Sequence, residues 1–116
     1  MNNVELSGNL VRDPDVRFTT KGTAKCLFTI AQNIGKGESK RGHFFKCIAW
    51  KDVAEGIAEK YAKGKPIQVR GMLTQDQWTD KDGGKRSEVV IVVFEAEVPE
   101  YAKKQDAPAD DPDLAF

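Results

Sequence analysis

His43-Phe44-Phe45-Lys46-Cys47-Ile48-Ala49-Trp50, running on into Lys51-Asp52-Val53-Ala54-Glu55-Gly56-Ile57-Ala58-Glu59-Lys60-Tyr61, changes its apolar period midway. The first part alternates, as a strand does. Phe45, Cys47 and Ala49 suit a core, and Phe44, Lys46, Ile48 and Trp50 take the other face. From Lys51 to Tyr61 the apolar residues Val53, Ala54, Ile57, Ala58 and Tyr61 recur at spacings of three and four, which predicts an amphipathic helix. Asp52 with Glu55 three residues on has the pattern of a capping box, and Lys63-Gly64-Lys65-Pro66 stops the helix.

Working outward, Ile67 to Trp78 alternates again. Ile67, Val69, Gly71 and Leu73 are expected inward; Gln68, Arg70, Met72, Thr74, Asp76 and Trp78 outward. Large aromatics on a sheet face that also carries Lys46 and Arg70 are suited to stacking unpaired nucleobases. Toward the N-terminus, Val4, Leu6, Gly8 and Leu10 define an inward face of a first strand. Asp13-Pro14 breaks it. A short extended piece, Val16 to Thr19, precedes a turn at Lys21-Gly22, and Cys26, Phe28 and Ile30 set the inward face of a second strand. Ile34 to Gly42 reads as a mobile loop. After a hairpin tip at Asp80-Lys81-Asp82-Gly83-Gly84-Lys85, a fifth strand from Glu88 to Val98 is expected to point Val90, Val92, Phe94, Ala96 and Val98 inward. Phe18 and Phe28 read as packing residues. Five strands with one helix between the third and fourth is the order of an all-β OB-fold, a five-stranded Greek-key barrel that binds oligonucleotides or oligosaccharides on one face.

The chain has 116 residues, enough for one domain and a tail. We expect the OB domain over residues 1–100, a short flexible linker over 101–109 and an acidic tip over 110–116. Charge is balanced overall but unevenly placed. All 18 Lys and Arg, but only 14 of the 18 Asp and Glu, lie within residues 1–104. The remaining acids, Asp106, Asp110, Asp111 and Asp113, lie in a stretch whose Pro, Ala and Asp content reads as disordered. No apolar run approaches a membrane span, and the N-terminus lacks the pattern of a signal peptide. We therefore expect a cytoplasmic, nucleoid-associated protein. Cys26 and Cys47 have no CxxC or His companions and read as reduced core residues. No cofactor or metal is expected, and lone His43 has no catalytic company. An OB-fold nuclease would need clustered carboxylates about a metal, whereas Asp13, Asp15, Asp76, Asp80 and Asp82 are scattered. The residues thus point to a binding protein rather than an enzyme. An OB-fold interaction module whose main ligand is a protein is the alternative.

Several segments resemble the bacterial and phage single-stranded DNA-binding protein family. They are Ser7-Gly8-Asn9-Leu10, Asp13-Pro14-Asp15-Val16-Arg17-Phe18, Phe28-Thr29-Ile30-Ala31, Trp50-Lys51-Asp52-Val53-Ala54-Glu55, Tyr61-Ala62-Lys63-Gly64-Lys65, Val69-Arg70-Gly71-Met72-Leu73 and Gln77-Trp78-Thr79-Asp80. Together they run over residues 3–98. The resemblance implies an OB-fold, binding to single-stranded DNA without sequence preference, and assembly of four OB domains, most often as a homotetramer. It places the family's stacking aromatics at Phe44, Trp50 and Trp78. Thr74-Gln75-Asp76-Gln77 stands where the family often has basic residues, which moves the expected phosphate contacts to Lys46, Arg70, Lys85 and Arg86. Lys36, with Lys40 and Arg41, could clamp the strand from the loop. The ending Asp110-Asp111-Pro112-Asp113-Leu114-Ala115-Phe116 resembles the family's acidic tip with a terminal Phe. It implies docking of replication and repair proteins through Asp110, Asp111, Asp113, Leu114 and Phe116. The edge of the first strand, Asn3 to Val11, is a candidate surface for pairing between copies.

Overall fold

Alternation builds the sheet, and the period change at Trp50 inserts a helix. The computed structural model describes residues 1–34, 41–100 and 102. Its elements are β1 (Val4–Leu10), β2 (Asp15–Phe18), β3 (Ala24–Ile34), β4 (Arg41–Trp50), α1 (Lys51–Lys60), β5 (Pro66–Thr79) and β6 (Lys85–Glu97). The short extended piece is thus a strand, β2, and the helix stands between β4 and β5. The sheet order is β1-β5-β6-β4-β3-β2, and an added β1–β3 pairing closes five strands into a ring. This is the OB-fold expected from the element order. β4 and β6 run parallel; the other pairings are antiparallel.

Inward positions of β3, β4 and the first half of β5 fill the barrel. Cys26, Phe28, Ile30, Cys47, Ala49, Ile67 and Val69 are buried there. Full burial of a side chain such as Ile30 or Ile67 is worth roughly 1.5–3 kcal/mol. α1 adds Ala54 and Ile57 to the same core, and Tyr61 closes its end. Gly64, at φ +84°, turns the chain back, with its N–H donating to Leu10 O at 2.8 Å. Gly8 marks the point where β1 crosses toward β3. A Cβ there would lie 2.3 Å from Ala31 O.

Several expectations are corrected. The ends of the expected Ile34–Gly42 loop are strand, with Ile34 paired to Arg41 and Asn33 to Gly42; residues 35–40 lie outside the described residues. No capping box forms. Lys51 adopts φ 56°, the helix begins one residue before Asp52, and the N-cap is Trp50 without a side-chain cap bond. Asp52 instead sits in the first turn, facing the positive end of the helix dipole. Ala58 is exposed rather than packed, and so is Phe18.

The main correction is on β6. Ile91 and Val93 are buried, Val90 and Val92 half-buried, and Phe94 exposed, opposite to the expected parity. Ala96 and Val98 are half-buried against the core, as expected. A β-bulge reconciles the two halves. Arg70 pairs with Glu95, yet Gly71 pairs with Val93, leaving Phe94 without a partner on β5. Leu73, expected inward, is also exposed. Beyond Gly71 no residue of β1 pairs with β5 among the described residues, so β5 and β6 continue as a two-stranded arm.

The edge of β1 is less free than expected. Val4–Asn9 pair with β5, and Asn9 and Leu10 with β3. Among the described residues, the edge without a strand partner is Val4–Gly8 on the side toward β3, where Gln32 Nε2 donates to Ser7 O at 2.9 Å.

Candidate nucleic-acid interface

The outward positions of β4 and β6 form two columns on one curved face. Parallel pairing sets Ile48 beside Val92 and flanks it with Cys47–Ile91 and Ala49–Val93. Phe44, Lys46, Ile48 and Trp50 make the β4 column. Phe44 is 65% exposed, Trp50 39% and Trp78, near the arm tip, 46%. Alternation predicted all three to face outward. Phe45, the neighbour that a one-residue slip would exchange with Phe44, is half-buried.

Phe44 and Lys46 lie in a groove of about 850 Å³. One wall is the segment after β1, with Val11, Arg12, Asp13 and Asp15; the other is the arm, with Asp76, Glu88 and Val90. A cleft between these two loops is where an OB-fold takes an oligonucleotide. The groove is not basic, however. Four carboxylates (Asp13, Asp15, Asp76, Glu88) line it against two cations, Arg12 and Lys46. Lys46 Nζ is 2.5 Å from Glu88 Oε1. Asp15 pairs with Arg17 at 3.0 Å, and Asp13 accepts the Lys63 N–H at 2.8 Å. The Asp76 carboxylate has no hydrogen bond or ion pair among the described residues.

Cations gather at the two ends instead. Lys25 Nζ lies 5.9 Å from the centroid of the Trp50 ring, within cation–π range. At the arm, Trp78 shares a recess of about 410 Å³ with Lys85 and Arg86. Asp80 organises this tip. Its Oδ1 accepts N–H groups of Asp82 at 3.0 Å and Gly84 at 2.8 Å, and its Oδ2 accepts Arg86 Nε at 2.9 Å. The Arg86 bond, then the Gly84 bond, holds the Asp80 carboxyl below its ordinary pKa.

The structure does not bring Arg70 to this groove. Arg70 pairs with Glu5 at 3.1 Å and Glu95 at 3.3 Å, in a separate cleft with Gln68 and Glu97. Roughly 26 Å of strand, at about 3.3 Å per residue, separates it from Trp78. Lys36 and the tip residues Asp110, Asp111, Asp113, Leu114 and Phe116 lie outside the described residues.

Cys26 and Cys47 are free and buried. Burial pushes their pKa values up, to about 11 for Cys26, where the Asp15 charge adds, and about 12 for Cys47. Both are inert thiols at neutral pH. Among the described residues, no group of three or more His, Cys, Asp or Glu could hold a metal ion. No helix among them is long and apolar enough to cross a membrane.

The sequence reading missed Lys25, the Glu88 partner of Lys46 and the exposure of Phe94. One signal for the last was present. Glu88 outward, with Glu95 and Glu97 also outward, cannot fit one regular strand, because their parities clash. Gly71 opposite the clash is the residue a bulge requires.

An OB-fold barrel with large aromatics on its ligand face defines an oligonucleotide-binding class of protein. The model of the single-strand binding protein family matches residues 1–99, and the chain belongs to that family. Its members are binding proteins, not enzymes. Similar proteins include the single-stranded DNA-binding proteins of Thermus thermophilus, 38% identical over 93% of this chain and 41% of that protein, and Deinococcus radiodurans, 38% identical over 75% and 30%. That of Mycobacterium leprae is 35% identical over 79% of this chain and 59% of its own length. The chain thus spans between about a third and three fifths of these relatives.

Proposed function

We propose that this chain binds single-stranded DNA without sequence preference and protects it during replication, recombination or repair. The observation that carries the reading is the exposure of Phe44 in the groove and of Trp50 and Trp78 at outward positions of β4 and β5. Every base has a π-face, so stacking tolerates any sequence and is worth roughly 1–3 kcal/mol per base. A duplex hides those faces and binds far more weakly.

Phosphates run along the cationic ends, over Lys25 near Trp50 and over Lys85 and Arg86 near Trp78, with Lys46 between them. Arg70, held by two carboxylates, contributes least; Lys36 and the loop around it clamp the strand. Each phosphate contact releases counterions, so affinity falls with salt. Copies of the chain pair to a homo-oligomer, a homotetramer in this reading, using the open Val4–Gly8 edge of β1. The domain comprises residues 1–100, and the linker 101–109 carries the tip 110–116. Asp110, Asp111, Asp113, Leu114 and Phe116 in that tip recruit replication and repair proteins in the cytoplasm, at the nucleoid.

Binding of oligo-dT to Phe44→Ala, Trp50→Ala and Trp78→Ala variants tests the reading. Each is expected to weaken affinity by roughly 1–3 kcal/mol with the fold intact by circular dichroism. Unchanged affinity in all three would leave a protein-binding OB module as the better account.

A further inference from the structure

We propose that Phe94 is a further base-stacking residue, carrying the aromatic platform from β4 across onto β6. The inference rests on the single-stranded DNA reading above. The ladder between β5 and β6 steps from Arg70–Glu95 to Gly71–Val93 and leaves Phe94 without a partner. The bulge is built in, because a Cβ on Gly71 would lie 1.9 Å from Val92 O. Before the bulge, Ile91 and Val93 point into the barrel, so Phe94 shares the parity of Glu88, Val90 and Val92. After it, Ala96 and Val98 turn inward. Phe94 is therefore the last outward residue of the β6 column.

The parallel register brings the two strands together just before it. Ile48 pairs with Val92 and Ala49 with Val93, where the parallel ladder ends; Trp50 and Phe94 are each the next residue past that last pair. A single exposed Phe on a surface needs no explanation. An aromatic 55% exposed, one residue past the last β4–β6 pair just as exposed Trp50 is on β4, extends the row of Phe44, Lys46 and Trp50 onto β6. Phe94 also borders a recess of about 160 Å³ against α1, where Lys60 offers an ammonium for the phosphate of the stacked nucleotide. The occupant is thus a base of a strand leaving Trp50 toward the helix.

The test titrates the full chain with oligo-dT of graded lengths. Phe94→Ala and Phe94→Leu are expected to weaken binding about 5- to 150-fold, for oligonucleotides long enough to reach past Trp50 but not for shorter ones, while Phe94→Tyr retains affinity within about twofold. Thermal midpoint and oligomeric state stay unchanged. In a Trp50→Phe, Trp78→Phe background, the sole tryptophan of Phe94→Trp is quenched by oligo-dT. Wild-type affinity of Phe94→Ala at every length, or a Phe94→Trp fluorescence that oligo-dT leaves unchanged, would overturn the proposal. So would an effect confined to the oligomeric state, which would assign Phe94 to contact between copies. If the Trp50→Ala and Trp78→Ala variants lose affinity and Phe94→Ala does not, only this inference fails. If none loses affinity, the DNA reading itself fails.

Discussion

Lys46 cannot serve a phosphate and Glu88 at the same time. Lys46 is largely exposed and Glu88 about one-third exposed, so their ion pair is solvent-screened and worth about 1 kcal/mol, and a phosphate can displace it. Glu88 would then face the phosphate unneutralised. Glu88→Gln is therefore expected to raise affinity for oligo-dT several-fold, as measured by anisotropy. It should also steepen the slope of log affinity against log salt by about 0.7, the contribution of one phosphate contact on a single strand. Lys46→Ala should cost less in the native chain than in the Glu88→Gln background. A loss of affinity in Glu88→Gln would contradict the account. Alternation was enough to expose Phe44, Trp50 and Trp78 in the sequence, because each strand's parity is a local property. The Lys46–Glu88 pair was not legible. It depends on the parallel approach of β4 to β6, which no local pattern encodes.

At the scale of the element, the β5–β6 hairpin carries most of what the sequence reading got wrong. Val89 to Phe94 is an unbroken apolar run, so it has no parity of its own. Parity there is set by the acids on either side, and these disagree by one residue. The bulge absorbs the difference, and Gly71 permits it. Gly71→Ala is expected to destabilise the protein by at least the roughly 1–3 kcal/mol typical of overpacking, because the obstructing atom is a backbone carbonyl. Urea unfolding would measure this. Stability equal to the native chain would mean that the close approach is not needed. The arm tip should respond to acid. Asp80 has its pKa lowered from 3.8, chiefly by Arg86. Its contribution is therefore complete above that value and is lost as pH falls through the lowered one. Amide shifts of Asp82 and Gly84 should titrate together with a midpoint below 3.8; a midpoint at or above it would remove Asp80 from its organising role. The presence of the strands and of α1 was legible, since period and turn residues mark them, but the extents of β3, β4 and β6 were not. The exposure of Leu73 was not, because it follows from the arm outrunning the barrel.

For the whole molecule, the ring closure follows from a familiar element order, while the charge layout does not. Residues 1–104 carry a basic excess, yet the groove holds four carboxylates against two cations, and further cations stand beside Trp50 and Trp78. Stacking should therefore dominate binding, with salt sensitivity set by few contacts. Both tryptophans lie on the proposed face, so they report on it directly. The measurement that tests this most directly is tryptophan fluorescence during titration with oligo-dT, with a matched duplex alongside, at low and moderate salt. The account predicts strong quenching by the single strand alone, weakened but not abolished by salt. No quenching, or an equal response to the duplex, would contradict it.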